Sequence, residues 1–141
     1  MKTYTTVLAS MLASTLCLTG TTYGQGASEC VDAVDIPLNG ATAWSNFGAS
    51  SSTEACPSSC DSSPSGDYYT CGSGADVWFK LTVPGDGVLT IDTCSPGSID
   101  TDLTLYQGSC GLLAPVDCNG DGPFNANCQA YYSIIEYSAS A

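Results

Sequence analysis

The segment 117–122 has the residue types and the spacing of a calcium-binding loop. It reads DCNGDG, which matches the opening D-x-D/N-x-D/N-G of such loops. Oxygen ligands from Asp117, Asn119 and Asp121 would converge on one point, and the final glycine permits a sharp turn. Position 12, where complete loops carry a chelating carboxylate, is Cys128. The segment therefore predicts either a weak calcium site, with a dissociation constant of about 10⁻⁴–10⁻³ M, or a disulfide-closed turn.

The other reactive side chains do not form a catalytic set. The sequence has no histidine, so a serine or cysteine nucleophile would lack the base that usually activates it. Asp100 and Asp102 start a predicted strand and, with Asp92, could hold a second cation. They could also serve as a carboxylate pair for glycoside hydrolysis, which is less favoured because no cleft, histidine or arginine supports it. We expect a non-catalytic protein.

The cysteines predict a disulfide framework. The chain has nine, and Cys17 lies in the N-terminal apolar segment. The other eight are Cys30, Cys56, Cys60, Cys71, Cys94, Cys110, Cys118 and Cys128. An even set in an exported chain is typical of disulfide bonding. Cys118 and Cys128 bracket a turn-rich loop and are the best local pair, whereas spacing does not select the other pairs. Zinc at Cys56 and Cys60 is disfavoured because histidine is absent and export favours oxidation.

The N-terminus predicts a secretory signal. Lys2 precedes the apolar run 7–18, which is too short to span a bilayer, and small residues precede a cleavage position after Gly24. We therefore expect residues 1–24 to be a signal peptide that removes Cys17, and 25–141 to be a single extracellular domain. No later run is long and apolar enough for a membrane helix.

The net charge of the chain limits the classes of partner that it can bind. The chain carries a net charge of −12, and without residues 1–24 Lys80 alone faces fourteen acidic residues, which gives −13. Such a surface repels nucleic acids and anionic lipids. It suits cations and neutral partners, such as a polysaccharide or an extracellular protein, or serves solubility alone.

The secondary-structure elements that would position these residues are short strands. Alternating runs rich in β-branched and aromatic residues predict strands at 41–47, 75–83, 87–93, 102–107, 115–118 and 131–139. Strands at this spacing indicate an all-β, disulfide-stapled β-sandwich or a barrel. Residues 48–74 are rich in serine, glycine and cysteine, and predict a long surface loop held by disulfides.

Alternation along these strands separates two faces. One face forms a predicted core of Val77, Phe79, Leu81, Val83, Leu89, Ile91, Leu103 and Leu105. The opposite face carries Trp78 and Tyr106. Either the 48–74 loop or the N-terminal segment with Trp44 covers this pair, or the two rings form an exposed platform for a sugar or a protein partner.

Four segments in order resemble a known family. They are 76–81 (DVWFKL), 87–94 (GVLTIDTC), 100–110 (DTDLTLYQGSC) and 117–121 (DCNGD). Together they resemble the strand motifs of bacterial pre-peptidase C-terminal domains. The resemblance implies a jelly-roll-like sandwich that is a non-catalytic appendage of larger secreted proteins. It also implies a final Y-x-I/V-x-V strand after 134–139, so the chain is expected to be a fragment that lacks its last strand.

These observations predict a secreted, non-catalytic binding or spacer module of a larger extracellular protein. The alternative is a carbohydrate-binding module that uses calcium or an aromatic platform. The ligand and the oligomeric state stay open.

Overall fold

A computed structural model describes residues 2–11, 24–25, 27–52, 54, 75–95, 99–123 and 125–140. Most of the predicted loop 48–74, with Tyr68 and Tyr69, lies outside the described residues. In the described part, regular structure is entirely β except for one 3₁₀ turn at Cys30–Asp32. The predicted all-β class is therefore confirmed.

The strands in the described part run in chain order as follows: β1 Lys2–Met11, β2 Gly24–Gln25, β3 Val34–Asp35, β4 Trp44–Ser45, β5 Ala75–Val83, β6 Gly87–Asp92, β7 Asp100–Gln107, β8 Ala114–Asn119 and β9 Ile134–Ala139. The predicted strand 75–83 matches β5 at both ends. Strands β6 to β9 lie within three residues of their predicted limits, whereas the predicted strand 41–47 shrinks to the two residues of β4.

The strands form one large sheet and two small ones. The five-stranded sheet has the order β3-β5-β1-β7-β8, in which β3 runs parallel to β5 and the other neighbours are antiparallel. Strands β6 and β9 form an antiparallel pair, and β2 pairs with β4 in parallel. The sequential strands β6 and β7 therefore lie in different sheets.

The hydrophobic core joins the large sheet to the β6–β9 pair. It consists of Val77, Phe79, Leu81, Leu89, Leu103, Leu105, Ile135 and Ala139, with Val83 and Ile91 packed against it. The predicted aliphatic face is therefore confirmed. Period-2 alternation explains it, since every second residue of β5 and β7 points to the same side of the sheet. The jelly-roll connectivity implied by the resemblance stays a prediction.

The position of β1 was not predicted from the sequence. Lys2–Met11 belongs to the predicted signal peptide, yet it lies between β5 and β7 at the centre of the large sheet. Val7 is opposite Trp78 on one side and Thr104 on the other. The segment contains Thr3, Thr5, Thr6 and Val7, residue types that favour strands, and its second half overlaps the apolar run 7–18 of the predicted signal. Removal of residues 1–24 would take away the central strand.

Two disulfides link distant segments. Cys30 bonds to Cys110 and Cys94 bonds to Cys128, across sequence separations of 80 and 34 residues. The predicted Cys118–Cys128 pair is therefore wrong, although Cys118 is also disulfide-bonded. Cys128 lies beside the end of β6, because the backbone N–H of Gln129 donates to the Ser95 carbonyl over 3.0 Å. Spacing along the sequence favoured the wrong pair because it does not show that the chain comes back to the end of β6 at Cys128.

Candidate functional site

The central slot, the position between β5 and β7 that β1 fills, is the site with the most unusual environment. Its flanks are deeply buried: Val77, Phe79 and Leu81 on β5 are at most 3% exposed, and Leu103 and Leu105 on β7 are 0% exposed. Lys2–Ser10 pairs along the length of β5, and Tyr4–Met11 pairs along β7. The slot is therefore a strand-shaped site enclosed by the core.

The backbone of β5 shows which groups face the slot. On the outer edge of β5, the Trp78 N–H donates to the Ala27 carbonyl over 2.7 Å, and the Lys80 carbonyl accepts from the Ile36 N–H over 2.9 Å. Successive residues of a strand direct their N–H and C=O groups to opposite edges. The backbone groups of Val77 and Phe79 therefore point into the slot, where β1 pairs with them.

Trp78 and Tyr106 stack across the central slot. Their ring centroids are 5.5 Å apart and their planes differ by 30°. The two residues belong to β5 and β7, which are separated by β1 and thus by two strand spacings, about 9.5 Å. The rings therefore lean toward each other on the face opposite the aliphatic core.

This aromatic pair is buried, and the predicted exposed platform is therefore wrong. Trp78 is 0% exposed and Tyr106 is 3% exposed. They form a second buried cluster with Cys30, against which Ala27 and Ala33 pack. The two rings do point away from the aliphatic core, and a segment N-terminal to β5 covers them. That segment is 27–33 rather than the stretch around Trp44, which packs against the aliphatic core.

Two buried polar atoms beside the slot lack partners. Among the described residues, neither Trp78 Nε1 nor Asp76 Oδ1 has a hydrogen-bond partner. Asp76 is 4% exposed, and its Oδ2 accepts the Ser52 N–H over 2.9 Å as well as the Ser52 hydroxyl. In β1 the residues opposite Trp78 and Asp76 in the register are Val7 and Ala9. Sequence reasoning missed Asp76 because a carboxylate within a strand carries no burial signal.

A buried polar network holds β7 to the start of β9. The Ser133 hydroxyl oxygen lies 2.9 Å from the Gly120 carbonyl oxygen and is also within hydrogen-bond distance of the Thr101 carbonyl, so its one proton is shared between them. Thr93 Oγ1 lies 2.6 Å from Thr101 Oγ1 and accepts the Ser133 N–H. Gln129 adds a bond from its Nε2 to the Thr93 carbonyl at 2.9 Å. The network is structural, since its hydroxyl and amide groups bind one another and the backbone.

The predicted calcium ligands lie at the edge of the large sheet. Asp117 and Asn119 belong to β8 at the register of Leu105 and Leu103, and Asp121 follows the strand. Asn119 Oδ1 accepts the Ile134 N–H over 2.8 Å, and Asp117 Oδ1 accepts the Cys118 N–H over 2.8 Å. Calcium would therefore compete with a backbone donor for Asn119, and the site stays a prediction.

The second cation site predicted at Asp92, Asp100 and Asp102 stays a prediction, but its premise that Asp92 lies on the strand next to β7 is wrong. Asp92 ends β6, whose partner is β9, whereas β7 lies between β1 and β8. Asp92 Oδ1 instead accepts the Cys94 N–H over 3.0 Å. Across the described ranges, no group of three or more histidine, cysteine or acidic side chains could hold a metal ion.

No family model matches this chain, and neither the curated proteins nor the solved structures contain a significant match. The resemblance to pre-peptidase C-terminal domains therefore stays a prediction that rests on the four motifs. The described part of the chain contains no helix that is long and apolar enough to cross a membrane.

Proposed function

We propose that this chain is a secreted, non-catalytic binding module of a larger extracellular protein, and that its partner is a polypeptide. The observation that carries the proposal is the pair of disulfides, Cys30–Cys110 and Cys94–Cys128, which link distant parts of the fold. Bonds of this kind form and persist in oxidising compartments outside the cytosol.

The burial of the aromatic pair favours a polypeptide over a carbohydrate partner. A sugar-binding platform needs exposed rings, whereas segment 27–33, which the mature chain keeps, packs against Trp78 and Tyr106. The strongly acidic surface disfavours nucleic acids and anionic lipids as partners. The four motifs that resemble secreted appendage domains agree with a non-catalytic role.

Export is tested by expression of the chain with its own N-terminus in a bacterial host. We expect the secreted protein to have lost 24 residues by intact mass and to have no free thiol by alkylation. The control is the same chain with 7–18 interrupted by two arginines, which should stay in the cytoplasm with reduced cysteines. A secreted wild-type product that keeps residues 1–24, or one with free thiols, would contradict the proposal.

Partner class is tested by retention of the secreted protein on a panel of insoluble and immobilised polysaccharides. We expect no retention. Specific retention that is lost in Trp78→Ala, with the fold intact by circular dichroism, would replace the polypeptide partner by a carbohydrate.

A further inference from the structure

We propose that the mature chain is a strand acceptor, in which the central slot between β5 and β7 binds an extended segment of a partner polypeptide antiparallel to both strands. The inference rests on the export part of the proposed function, because removal of residues 1–24 is what vacates the slot. It goes further in naming the site, the binding mode and the chemistry of the partner.

The first argument concerns the backbone. Without β1, the N–H and C=O groups of Val77 and Phe79 would lose their partners, and apolar flanks that are at most 3% exposed while β1 is in place would be uncovered. A buried backbone group without a partner costs on the order of 1–3 kcal/mol. Several such groups lie along each flank, so a vacant slot is unstable and favours the binding of another strand.

The second argument is that the two flanks are held independently of β1. Strand β5 is fixed on its outer edge by β3 and by Ala27. Strand β7 is fixed by β8, and by the Ser133 network at its start. The disulfide Cys30–Cys110 ties the cover of the aromatic pair to the segment after β7. These anchors favour retention of the spacing when β1 leaves.

The sequence and the direction of β1 indicate which segments the slot can bind. Lys2–Met11 is an extended run of ten residues, uncharged apart from Lys2, and rich in strand-favouring threonine. The ladder is antiparallel on both sides, so any replacement has to run in the same direction as β1. A partner segment should therefore be an uncharged or basic strand without proline in its centre.

A buried polar atom without a described partner indicates a further preference of the slot. Asp76 Oδ1 has no partner among the described residues, and the residue opposite it in β1 is Ala9. Asp102 of β7 lies opposite the same residue from the other side. A lysine at this position of the partner strand would meet a carboxylate from each flank.

The negative charge of the mature chain also favours a basic partner segment. Lys80, its one basic residue, lies 3.3 Å from Asp35, and the net charge is −13. Such a field attracts a basic segment and repels an acidic one, and it should raise the association rate at low ionic strength.

The test begins with the full chain, in which the slot is filled throughout folding. The chain is refolded under oxidising conditions with a protease recognition sequence within residues 12–23, and is then cut. We expect the N-terminal peptide to stay bound through gel filtration, as detected by native mass spectrometry. The matched variant Thr6→Pro lacks the N–H opposite Phe79, and should release its peptide after the same cut.

The second step uses the secreted mature chain and a synthetic peptide of residues 2–11. We expect the peptide to slow hydrogen exchange of β5 and β7 amides, and the Thr6→Pro peptide to have no effect. The Ala9→Lys peptide should bind about two- to fivefold more tightly than the native peptide, and Ala9→Glu more weakly by a similar factor.

Two outcomes would overturn the proposal. One is release of the cut wild-type peptide with β5 and β7 amides still protected, which would show that the two strands close on each other. The other is found with the mature chain: its β5 and β7 amides are protected from hydrogen exchange without the peptide, or addition of the peptide does not protect them. Intact mass reports signal removal separately, so failure of export and failure of strand binding are distinguishable.

Discussion

The two faces of the five-stranded sheet are buried in different ways. The aliphatic face packs against a second sheet, so Leu103, Leu105 and Val77 are covered by residues such as Ile135 of β9. The aromatic face has no second sheet among the described residues. Trp78 and Tyr106 are covered instead by the irregular segment 27–33, which a disulfide ties to the end of the sheet.

This contrast separates burial by packing from burial by cross-linking. The aliphatic face contains side chains without polar atoms, and its stability comes from apolar area and close packing. The aromatic face includes a buried indole N–H and a buried carboxylate oxygen that lack partners among the described residues. Its cover is short, so we expect it to depend on the cross-link more than the aliphatic face does.

The largest expected effect is loss of the Cys30–Cys110 bond. The double variant Cys30→Ala/Cys110→Ala should lower the free energy of unfolding by about 4.5 kcal/mol, from the loop entropy of the unfolded chain. The matched variant Cys94→Ala/Cys128→Ala opens a shorter loop and should cost about 3.8 kcal/mol. Urea unfolding of the oxidised full chain, in which β1 is present, measures both. A greater loss from the second variant would contradict the assigned dependence of the aromatic face on its cross-link.

The next effect compares one residue from each face. Leu105→Ala should destabilise the protein by about 3–4 kcal/mol, because it leaves a cavity at a fully buried position. Trp78→Phe should cost about 1 kcal/mol, because it retains a ring and removes a donor that has no described partner. Thermal and urea unfolding give both values.

Leu112→Ala is the control for this comparison, since Leu112 is 82% exposed and its truncation should change stability by less than about 0.5 kcal/mol. A cost for Trp78→Phe as large as that for Leu105→Ala would mean that the indole N–H is paired and that the two faces are equally well packed.

Alternation made the aliphatic face predictable from the sequence. Along Ala75–Val83 every second residue is apolar, and the strand and its core face were both assigned correctly. The same alternation assigned Trp78 and Tyr106 to the other side of the sheet. It could not show that 27–33 covers them, because that contact joins segments about 50 residues apart and has no local pattern.

Two further features were beyond local reasoning. The segment 2–11 overlaps the apolar run 7–18 of the predicted signal and also contains β-favouring threonines, so its composition does not distinguish a signal from a strand. The disulfide partners of Cys94 and Cys110 are set by the sheet order, which spacing does not specify. The orphaned Asp76 oxygen likewise depends on which strand lies opposite it.

An effect similar in size to that of Trp78→Phe concerns calcium at the edge of the aliphatic face, where β8 presents Asp117 and Asn119. Calcium must displace the Ile134 N–H from Asn119 Oδ1, so the affinity should be weak. With a dissociation constant of about 10⁻³ M, about 10 mM calcium should stabilise the fold by about 1.4 kcal/mol. Asp121→Ala should abolish this gain, whereas Glu136→Ala, an exposed carboxylate on β9, should retain it. Equal calcium uptake by wild type and Asp121→Ala in isothermal titration would show that segment 117–122 is only a turn at the polar edge of this face.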